Sequence, residues 1–245
     1  MEWSFITFVM ATSAVSLGAL LQASTGLGAG LIIVPLLALI SIDLIPGPMI
    51  FASLFLSFSM AFSQRQHINF DNLPILLSGI SLGTLCAALV ISHLNLALLG
   101  IVFGSFVLLA IVISIKAPQL SLSKLGYFST GTISGIMGTA AGIGAPILAL
   151  LYQHHSGPSL RSTLALLYFI SSIIMLLFLH MADRFGLNEL IYGFALVPGF
   201  ILGFFISSKF LRFIDNGYAR YAVLIISICS ALLLIGRSIY SINNT

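Results

Sequence analysis

Two glycine clusters interrupt the most apolar parts of this chain and constrain its fold more than any other feature. The first is Gly26-Leu-Gly28-Ala-Gly30, followed by Pro35, and the second is Gly138-Thr-Ala-Ala-Gly142-Ile-Gly144-Ala-Pro146. Glycine permits backbone shapes that other residues avoid, so each cluster is expected to break a hydrophobic helix and leave backbone N–H and C=O groups unpaired. In hydrocarbon such a break is tolerated only where protein buries it or where it lines a wet cavity, as at a transporter's binding site.

The composition indicates an integral membrane protein. The 245 residues are 59% hydrophobic and 6% charged, with a mean hydropathy of +1.17, whereas soluble domains carry about 25% charged residues. The nine basic residues stand singly at the ends of apolar runs, as juxtamembrane residues do, which excludes nucleic-acid binding. Cys86 and Cys229 each lie inside an apolar run, where a free cysteine behaves as a small hydrophobe, so no disulfide is expected.

Apolar runs separated by short polar breaks predict an all-α, polytopic membrane protein with about eight helical elements. The two elements that contain the glycine clusters each consist of two runs separated by the cluster. The runs are 4–23 plus 31–42, 48–63, 72–92, 96–115, 126–137 plus 145–153, 160–181, 188–207 and 219–240. Most approach the roughly 20 residues that cross a bilayer core.

The two halves of the chain resemble each other, which predicts an N-terminal repeat over 1–117 and a C-terminal repeat over 118–245 within one membrane domain. Each glycine cluster is followed by a Gly-Pro pair and another apolar run, and aligning Pro48 with Pro158 pairs Ser53 with Thr163. Small residues four apart then recur in the same order. They are Gly79 with Gly83 and Gly199 with Gly203, the spacing that lets transmembrane helices approach closely.

The basic residues favour a topology in which 126–153 enters and leaves at one side of the membrane. Seven basic residues then share a side: Arg65, Lys116, Lys124, Arg161, Lys209, Arg212 and Arg220. Arg184 and Arg237 lie on the other, and the positive-inside rule prefers this uneven division. Each half then has one broken or re-entrant Gly-rich helix and three spanning helices, with the second half inverted, a frequent transporter plan.

The glycine clusters carry a resemblance to a known family. Gly26-Leu-Gly-Ala-Gly-Leu-Ile-Ile-Val-Pro-Leu-Leu and Gly135-Ile-Met-Gly-Thr-Ala-Ala-Gly-Ile-Gly-Ala-Pro resemble the sulfite exporter TauE/SafE family, small bacterial membrane proteins with duplicated halves. The resemblance implies anion transport, with sulfite and organosulfonates as associated substrates. Ala29, Ala141 and Ala145 stand where the family pattern often has another glycine, which leaves the particular substrate open.

Two broken helices that meet near the midplane would form an anion site without a buried lysine. Exposed N–H groups and the positive end of a half-helix would face the anion. The glycines would let it approach the backbone, and side chains would add hydrogen-bond donors; close helix packing is the alternative role of each glycine. The candidate binding residues from the two clusters are Gln22, Ser24, Thr25, Gly26, Gly28, Gly30, Gly138, Thr139, Gly142 and Gly144.

Arg161 and Gln153 complete the candidate set. A guanidinium can hold an oxyanion through two parallel N–H bonds, although a positive-inside anchor explains Arg161 equally well. His154 and His155 adjoin Gln153, but two histidines without a nearby cysteine or carboxylate are more typical of interfacial polar residues than of a metal site. No metal or other cofactor is expected.

The function predicted from these features is secondary transport of a small anion by alternating access between the repeats, with export the expected direction. No acidic residue lies deep in an apolar run, which weakens a proton-coupled mechanism but leaves sodium open. An intramembrane enzyme is disfavoured because the chain offers no HExxH, GxSxG or paired carboxylates. A non-transporting scaffold is the main alternative. The expected partners are the anion and the lipid bilayer, with a homodimer as a further candidate, and the expected location is the bacterial inner membrane.

Overall fold

The structure, a computed structural model, is all-helical over the residues it describes, which are 4–26, 29–116, 123–152, 157–214 and 218–243. The part of the chain that it covers contains ten α-helices and two short 3-10 turns, and no strand. The helices are α1 (Phe5–Thr25), α2 (Gly30–Ile40), α3 (Gly47–Ser63), α4 (Leu73–Ser92), α5 (Leu96–Lys116), α6 (Lys124–Ala141), α7 (Ala145–Leu151), α8 (Gly157–Met181), α9 (Leu187–Ile214) and α10 (Tyr218–Asn243).

The predicted apolar runs are confirmed as helices, and both glycine clusters do break a helix. The first predicted element is divided into α1 and α2, and the second into α6 and α7. One boundary was wrong: α6 continues to Ala141, four residues past the predicted end at 137. Gly138 and Thr139 therefore lie inside a helix, because only Gly142 takes the left-handed backbone conformation that ends it.

The first helix of each pair begins and ends with the same local chemistry. Ser4 and Ser123 cap the N-termini of α1 and α6, each accepting a hydrogen bond from the backbone N–H three residues on. Gly26 and Gly142 end these helices with φ values of 76° and 70°, a region that glycine enters without steric cost. Pro35 does not end its element; it lies within α2.

Glycines also set the closest helix contacts, as the small-residue spacing predicts. A β-carbon added to Gly79 or Gly83 of α4 would collide with the backbone of α6. A β-carbon on Gly199 or Gly203 of α9 would meet the backbone carbonyls of α1. The fourth helix of each half therefore packs tightly against the first helix of the other half.

Contacts along these helices show how α6 and α7 are oriented. Gly131 and Gly135 of α6 lie against Leu76 and Ile80 of α4 in the same order, so the two helices run parallel. After α7 the chain returns to the end of the bundle where α4 begins, because Asn69 N–H donates to the Thr163 hydroxyl of α8 at 2.9 Å. Residues 124–152 therefore begin and end at the same end of the bundle.

The segment that contains α1 and α2 begins and ends at the opposite end of the bundle. Thr12 and Ser16 of α1 lie against Gly199 and Gly203 of α9, so α1 and α9 are parallel. Phe185, which follows α8, lies against Gly47 at the start of α3, so α3 and α8 are antiparallel. This arrangement is the one expected of inverted halves; the duplication itself, with its boundary at residue 117, stays a prediction.

Arg65, Lys124 and Arg161 lie at the end of the bundle where α4, α6 and α8 begin, which we call the basic end. Arg184 lies at the opposite end, where it follows α8. Arg237 is also there, since Ser238 beside it packs on Gly100 near the start of α5. The side chains of Lys209, Arg212 and Arg220 lie outside the described residues, although α9 ends and α10 begins at the basic end.

Five helices are long and apolar enough to cross a membrane among the residues described. They are Phe5–Thr25, Leu73–Ser92, Leu98–Lys116, Gly157–Met181 and Leu187–Ser207. Large apolar side chains also cover the outside of the bundle, such as Phe5, Leu89 and Phe205 at 81%, 59% and 69% exposure. A surface of this kind needs a hydrocarbon solvent, and the protein is a multi-pass membrane protein.

Candidate functional site

The two helix breaks touch each other inside the bundle. A β-carbon on Gly30, the first residue of α2, would collide with the carbonyl oxygen of Gly142 at the end of α6 and would press on Ile143. Only glycine allows the two backbones to approach this closely. The contact brings the start of α2 to the turn between α6 and α7.

A side chain bridges each break. The Gln22 Oε1 of α1 accepts a hydrogen bond from the Ala29 N–H at 2.7 Å, across the break between α1 and α2. The Ser134 hydroxyl of α6 donates to the carbonyl of Gly144 at 2.9 Å, across the break between α6 and α7. These bonds satisfy part of the backbone that the breaks expose and fold each second helix back on the first.

A cavity of about 70 Å³ lies between the breaks, α3 and α8, and we call it the central cavity. Its lining combines both glycine clusters with hydroxyl and apolar side chains of α3 and α8. The lining residues are Gln22, Ala29, Gly30, Ile33, Met49, Ile50, Ser53, Ser57, Ser134, Gly138, Gly142, Gly144, Ala145, Leu148, Tyr168, Ser171, Ser172, Met175 and Phe200.

Two hydroxyl groups in the central cavity lack a hydrogen-bond partner in the described chain. Ser57 of α3 is 0% exposed and Ser171 of α8 is 4% exposed, and the Oγ of each is buried without a partner. Leaving such a group unpaired costs about 1–3 kcal/mol. Both hydroxyls are therefore available to hydrogen-bond with a polar group that enters the cavity.

Other polar groups of the central cavity are already bonded. The Ser53 hydroxyl donates to the Ile50 carbonyl within α3 at 2.8 Å. The Tyr168 hydroxyl donates to the Gly26 carbonyl at 3.1 Å. The side-chain amide nitrogen of Gln22 takes no part in the bond to Ala29, so its two N–H groups remain as donors beside the cavity.

The starts of α2 and α7 give the central cavity a positive electrostatic character. Ala29 and Gly144 precede these helices, and neither provides a side-chain cap for the first N–H groups. Uncapped N-terminal amides carry partial positive charge. No charged side chain of the described residues lines the cavity, so the field there comes from backbone and hydroxyl dipoles, which suit an anion.

The structure brings five of the twelve predicted site residues together at the central cavity. Gln22, Gly30, Gly138, Gly142 and Gly144 line the central cavity. Gly28 and Gln153 lie outside the described residues, as do His154 and His155. Gly26, Ser24, Thr25, Thr139 and Arg161 are described but do not line it.

The residues that lie off the cavity have other surroundings. The hydroxyls of Ser24 and Thr25 donate to carbonyls one turn back in α1, at 2.7 Å each. Thr139 is fully buried in α6, and its hydroxyl has no partner in the described chain. Gly26 packs against Leu160 and Arg161 of α8. Sequence position alone places these residues in the glycine clusters, but helix rotation turns them away from the centre.

Arg161 lines a different cavity, of about 190 Å³, near the basic end. Its α-carbon and Cγ lie over Gly26, where an added β-carbon would come within 3.5 and 3.2 Å of them. The guanidinium is therefore close to the first helix break without facing the central cavity. Arg161 therefore does not line the central cavity, and its role as an anion clamp or as a positive-inside anchor stays a prediction.

Sequence reasoning missed the serines of α3 and α8 that line the central cavity, together with Ser134 and Tyr168. A signal was available for two of them. Ser53 and Ser57 stand four residues apart in an otherwise apolar helix, a spacing that places both on one face. The missing information was that this face meets α8 rather than lipid.

No group of three His, Cys, Asp or Glu side chains that could hold a metal ion occurs within the described residues. Cys86 and Cys229 are free thiols on the outside of the bundle. The donors in the central cavity are hydroxyls, one carboxamide and backbone amides. That set can donate hydrogen bonds, and among the described lining residues it contains no thiolate or imidazole that would bind a metal.

Comparison with known proteins gives an assignment that agrees with this geometry. No curated protein and no solved structure matched the chain. The family model for the sulfite exporter TauE/SafE family matches residues 11–234, which include both glycine breaks and every residue that lines the central cavity. The family is one of membrane transporters for sulfur-containing anions, and the chain belongs to the sulfite exporter TauE/SafE family.

Proposed function

We propose that the protein moves a small sulfur oxyanion, with sulfite the best fit, by alternating access at the central cavity. The main support is the set of groups that the central cavity brings together. The starts of α2 and α7, which have no side-chain cap, lie beside the unpaired hydroxyls of Ser57 and Ser171. Anions are stabilised by such donors without a buried positive side chain.

The size of the central cavity favours the smaller substrates of the family. A cavity of about 150 Å³ accommodates benzene, with its six carbon atoms. The 70 Å³ present here suits sulfite, which has four heavy atoms, better than an organosulfonate with twice as many. An organosulfonate would require the cavity to widen between α3 and α8.

The packing supports a rocking motion for alternating access. One group of helices, α4, α7 and α8, forms most of a smaller apolar core. A second group, α1, α2, α5, α9 and α10, forms most of a larger core, to which α3, α4, α6 and α8 also contribute. The central cavity lies where these groups meet, beside α3. Tilting one group against the other would open the cavity first toward one end of the bundle and then toward the other.

Transport driven by membrane voltage is compatible with the lining of the central cavity. The described lining contains no carboxylate or histidine to carry a proton. With the cell interior negative, expelling one negative charge gains about 2.3 kcal/mol per 100 mV, and a dianion gains twice that. The membrane potential therefore favours export of an anion, and the positive-inside rule predicts that the basic end faces the cytoplasm of the bacterial inner membrane.

A flux assay tests this proposal directly. The purified protein in proteoliposomes is expected to release radiolabelled sulfite faster when the inside is made negative with a potassium gradient and valinomycin. The flux should fall in Ser57→Ala, but not in Ser59→Ala, because Ser59 is exposed on the same helix and bonds to its own backbone. A folded protein with no sulfite or organosulfonate flux would instead favour the scaffold role.

A further inference from the structure

A second cavity beside the central one combines a cationic side chain with neutral polar side chains. It has a volume of about 190 Å³ and lies near the basic end, between α1, α3, α8 and α9. Four of its lining side chains are polar and four are apolar. The lining residues are Ala23, Met60, Ser63, Gln64, Arg161, Phe204, Phe205 and Ser207.

The polar groups of this second cavity are suited to an oxyanion. The Arg161 guanidinium has no hydrogen bond or ion pair with the described residues. Gln64 also lines the cavity, and the two N–H groups of its side-chain amide can donate to an anion. Its Oε1 is buried without a partner in the described chain, but it is an acceptor and does not bind the anion. A guanidinium offers five donors in a planar fork that matches two oxygens of one anion.

Local packing keeps Arg161 in this position. Gly26 ends α1 directly beneath the Arg161 side chain, and a β-carbon there would come within 3.2 Å of the Arg161 Cγ. The C-terminal end of a helix carries partial negative charge, which attracts a guanidinium. Arg161 therefore lies beside the first helix break and lines the second cavity, and its Nη1 lies near Gly157 at the start of α8.

The second cavity lies close to the central one along two helices. Gln22 and Ala23 are neighbours on α1, and the first lines the central cavity while the second lines the other. On α8, Tyr168 lines the central cavity and Arg161 the other. Seven residues of helix separate them, a rise of about 10 Å. The last turn of α1, bonded to Tyr168 through Gly26, forms the wall between the two.

We propose that the second cavity is a separate oxyanion site, in which Arg161 and Gln64 bind the anion outside the transport position. One ligand with suitable chemistry is the transported anion, bound before it enters the central cavity. This assignment rests on the proposed transport function. The same chemistry fits a lipid phosphate, because Phe205 forms one wall and is 69% exposed on the outside of the bundle.

Equilibrium binding of radiolabelled sulfite to the full-length protein tests the site. Binding is measured in delipidated detergent solution for the parent, Arg161→Gln, Arg161→Lys and the control Arg65→Gln. Arg65 is at the same end, with its guanidinium stacked on Phe62 at 4.8 Å. Co-purified phosphatidylglycerol is quantified by mass spectrometry for each variant taken from native membranes.

If a free anion fills the site, Arg161→Gln weakens one class of sulfite binding by about tenfold or more, because the bonds lost are to a charged group. Arg161→Lys should lie between Arg161→Gln and the parent, since lysine keeps the charge but loses the planar fork. If a lipid phosphate fills it, Arg161→Gln loses bound phosphatidylglycerol and keeps parental sulfite binding. Arg65→Gln should match the parent in both measurements.

Parental sulfite binding together with parental lipid content in Arg161→Gln would overturn the second site. This failure is distinguishable from failure of the proposed function. Ser57→Ala is expected to weaken a different class of sulfite binding, because Ser57 lines only the central cavity. Loss of binding in Arg161→Gln with no effect of Ser57→Ala would keep the second site and reject the central one.

Discussion

The Tyr168 hydroxyl of α8 donates a hydrogen bond to the carbonyl oxygen of Gly26, with 3.1 Å between the two oxygens. Gly26 is the left-handed residue that ends α1, so the bond connects the first helix break to a long helix of the other half. It also lies between the central cavity and the cavity that contains Arg161. The bond therefore fixes the last turn of α1, which forms the wall between the two cavities.

Tyr168→Phe removes this bond and leaves the Gly26 carbonyl unpaired. We expect the free energy of unfolding to fall by about 1 kcal/mol, the usual net contribution of a neutral hydrogen bond. The rate of sulfite flux should also differ from that of the parent, because the end of α1 is no longer held where the anion passes. Thermal unfolding in detergent and flux in proteoliposomes measure the two effects. Parental flux in a variant with the expected loss of stability would show that the wall does not limit transport.

Ser57→Ala and Ser171→Ala separate binding from stability. Each removes a buried hydroxyl that has no partner in the described chain, so the empty protein should be as stable as the parent or more stable by up to about 1 kcal/mol. Sulfite affinity should fall by about tenfold, because an anion loses a donor. Titration of flux against sulfite concentration gives the affinity. A clear loss of stability in both variants would mean that the hydroxyls stabilise the fold.

Gly30→Ala tests the contact between the two breaks. The added methyl group would collide with the Gly142 carbonyl, and overpacking of this kind costs about 1–3 kcal/mol. Transport should be abolished even where the protein still folds, because the start of α2 is pushed from the cavity. Gly236→Ala is the matched control, since a β-carbon there meets nothing within 4 Å. Equal flux in the two variants would contradict the placement of α2.

The glycine clusters were enough to predict both helix breaks, because Gly26 and Gly142 can adopt the left-handed backbone conformation that ends α1 and α6. They did not predict which residues of the clusters reach the centre. Thr25 and Thr139 are as close to the breaks in sequence as Gly30 and Gly144, yet the rotation of α1 and α6 turns them away from the central cavity.

The central serines and the position of Arg161 depend on packing between helices far apart in the sequence. Ser57 and Ser171 share a cavity because α3 runs antiparallel to α8, a contact that no local pattern specifies. Arg161 begins a helix directly after the second break in sequence, but in space it lies over Gly26 of the first break.

Arg184→Gln is expected to loosen the end of the bundle opposite the basic end. The Arg184 guanidinium donates to the carbonyls of Ser92 and Leu94 at 3.1 and 2.6 Å, where α4 ends with its carbonyls unpaired by the helix. The variant should lose about 1–3 kcal/mol of stability, as charged hydrogen bonds contribute more than neutral ones. Arg237→Gln, at an exposed position at the same end, should leave the melting temperature at the parental value. Equal melting temperatures for Arg184→Gln and the parent would show that the hydrogen bonds of Arg184 to these two carbonyls do not stabilise the protein.

The position of a bound anion tests the account most directly. Selenite has the shape and charge of sulfite, and its selenium atom scatters X-rays anomalously, so an anomalous difference map of the protein with selenite locates the ion. The account predicts a peak in the central cavity, within hydrogen-bond distance of the Ser57 and Ser171 hydroxyls and beside Gly30 and Gly144. A map with no peak there, from protein that transports selenite, would contradict it.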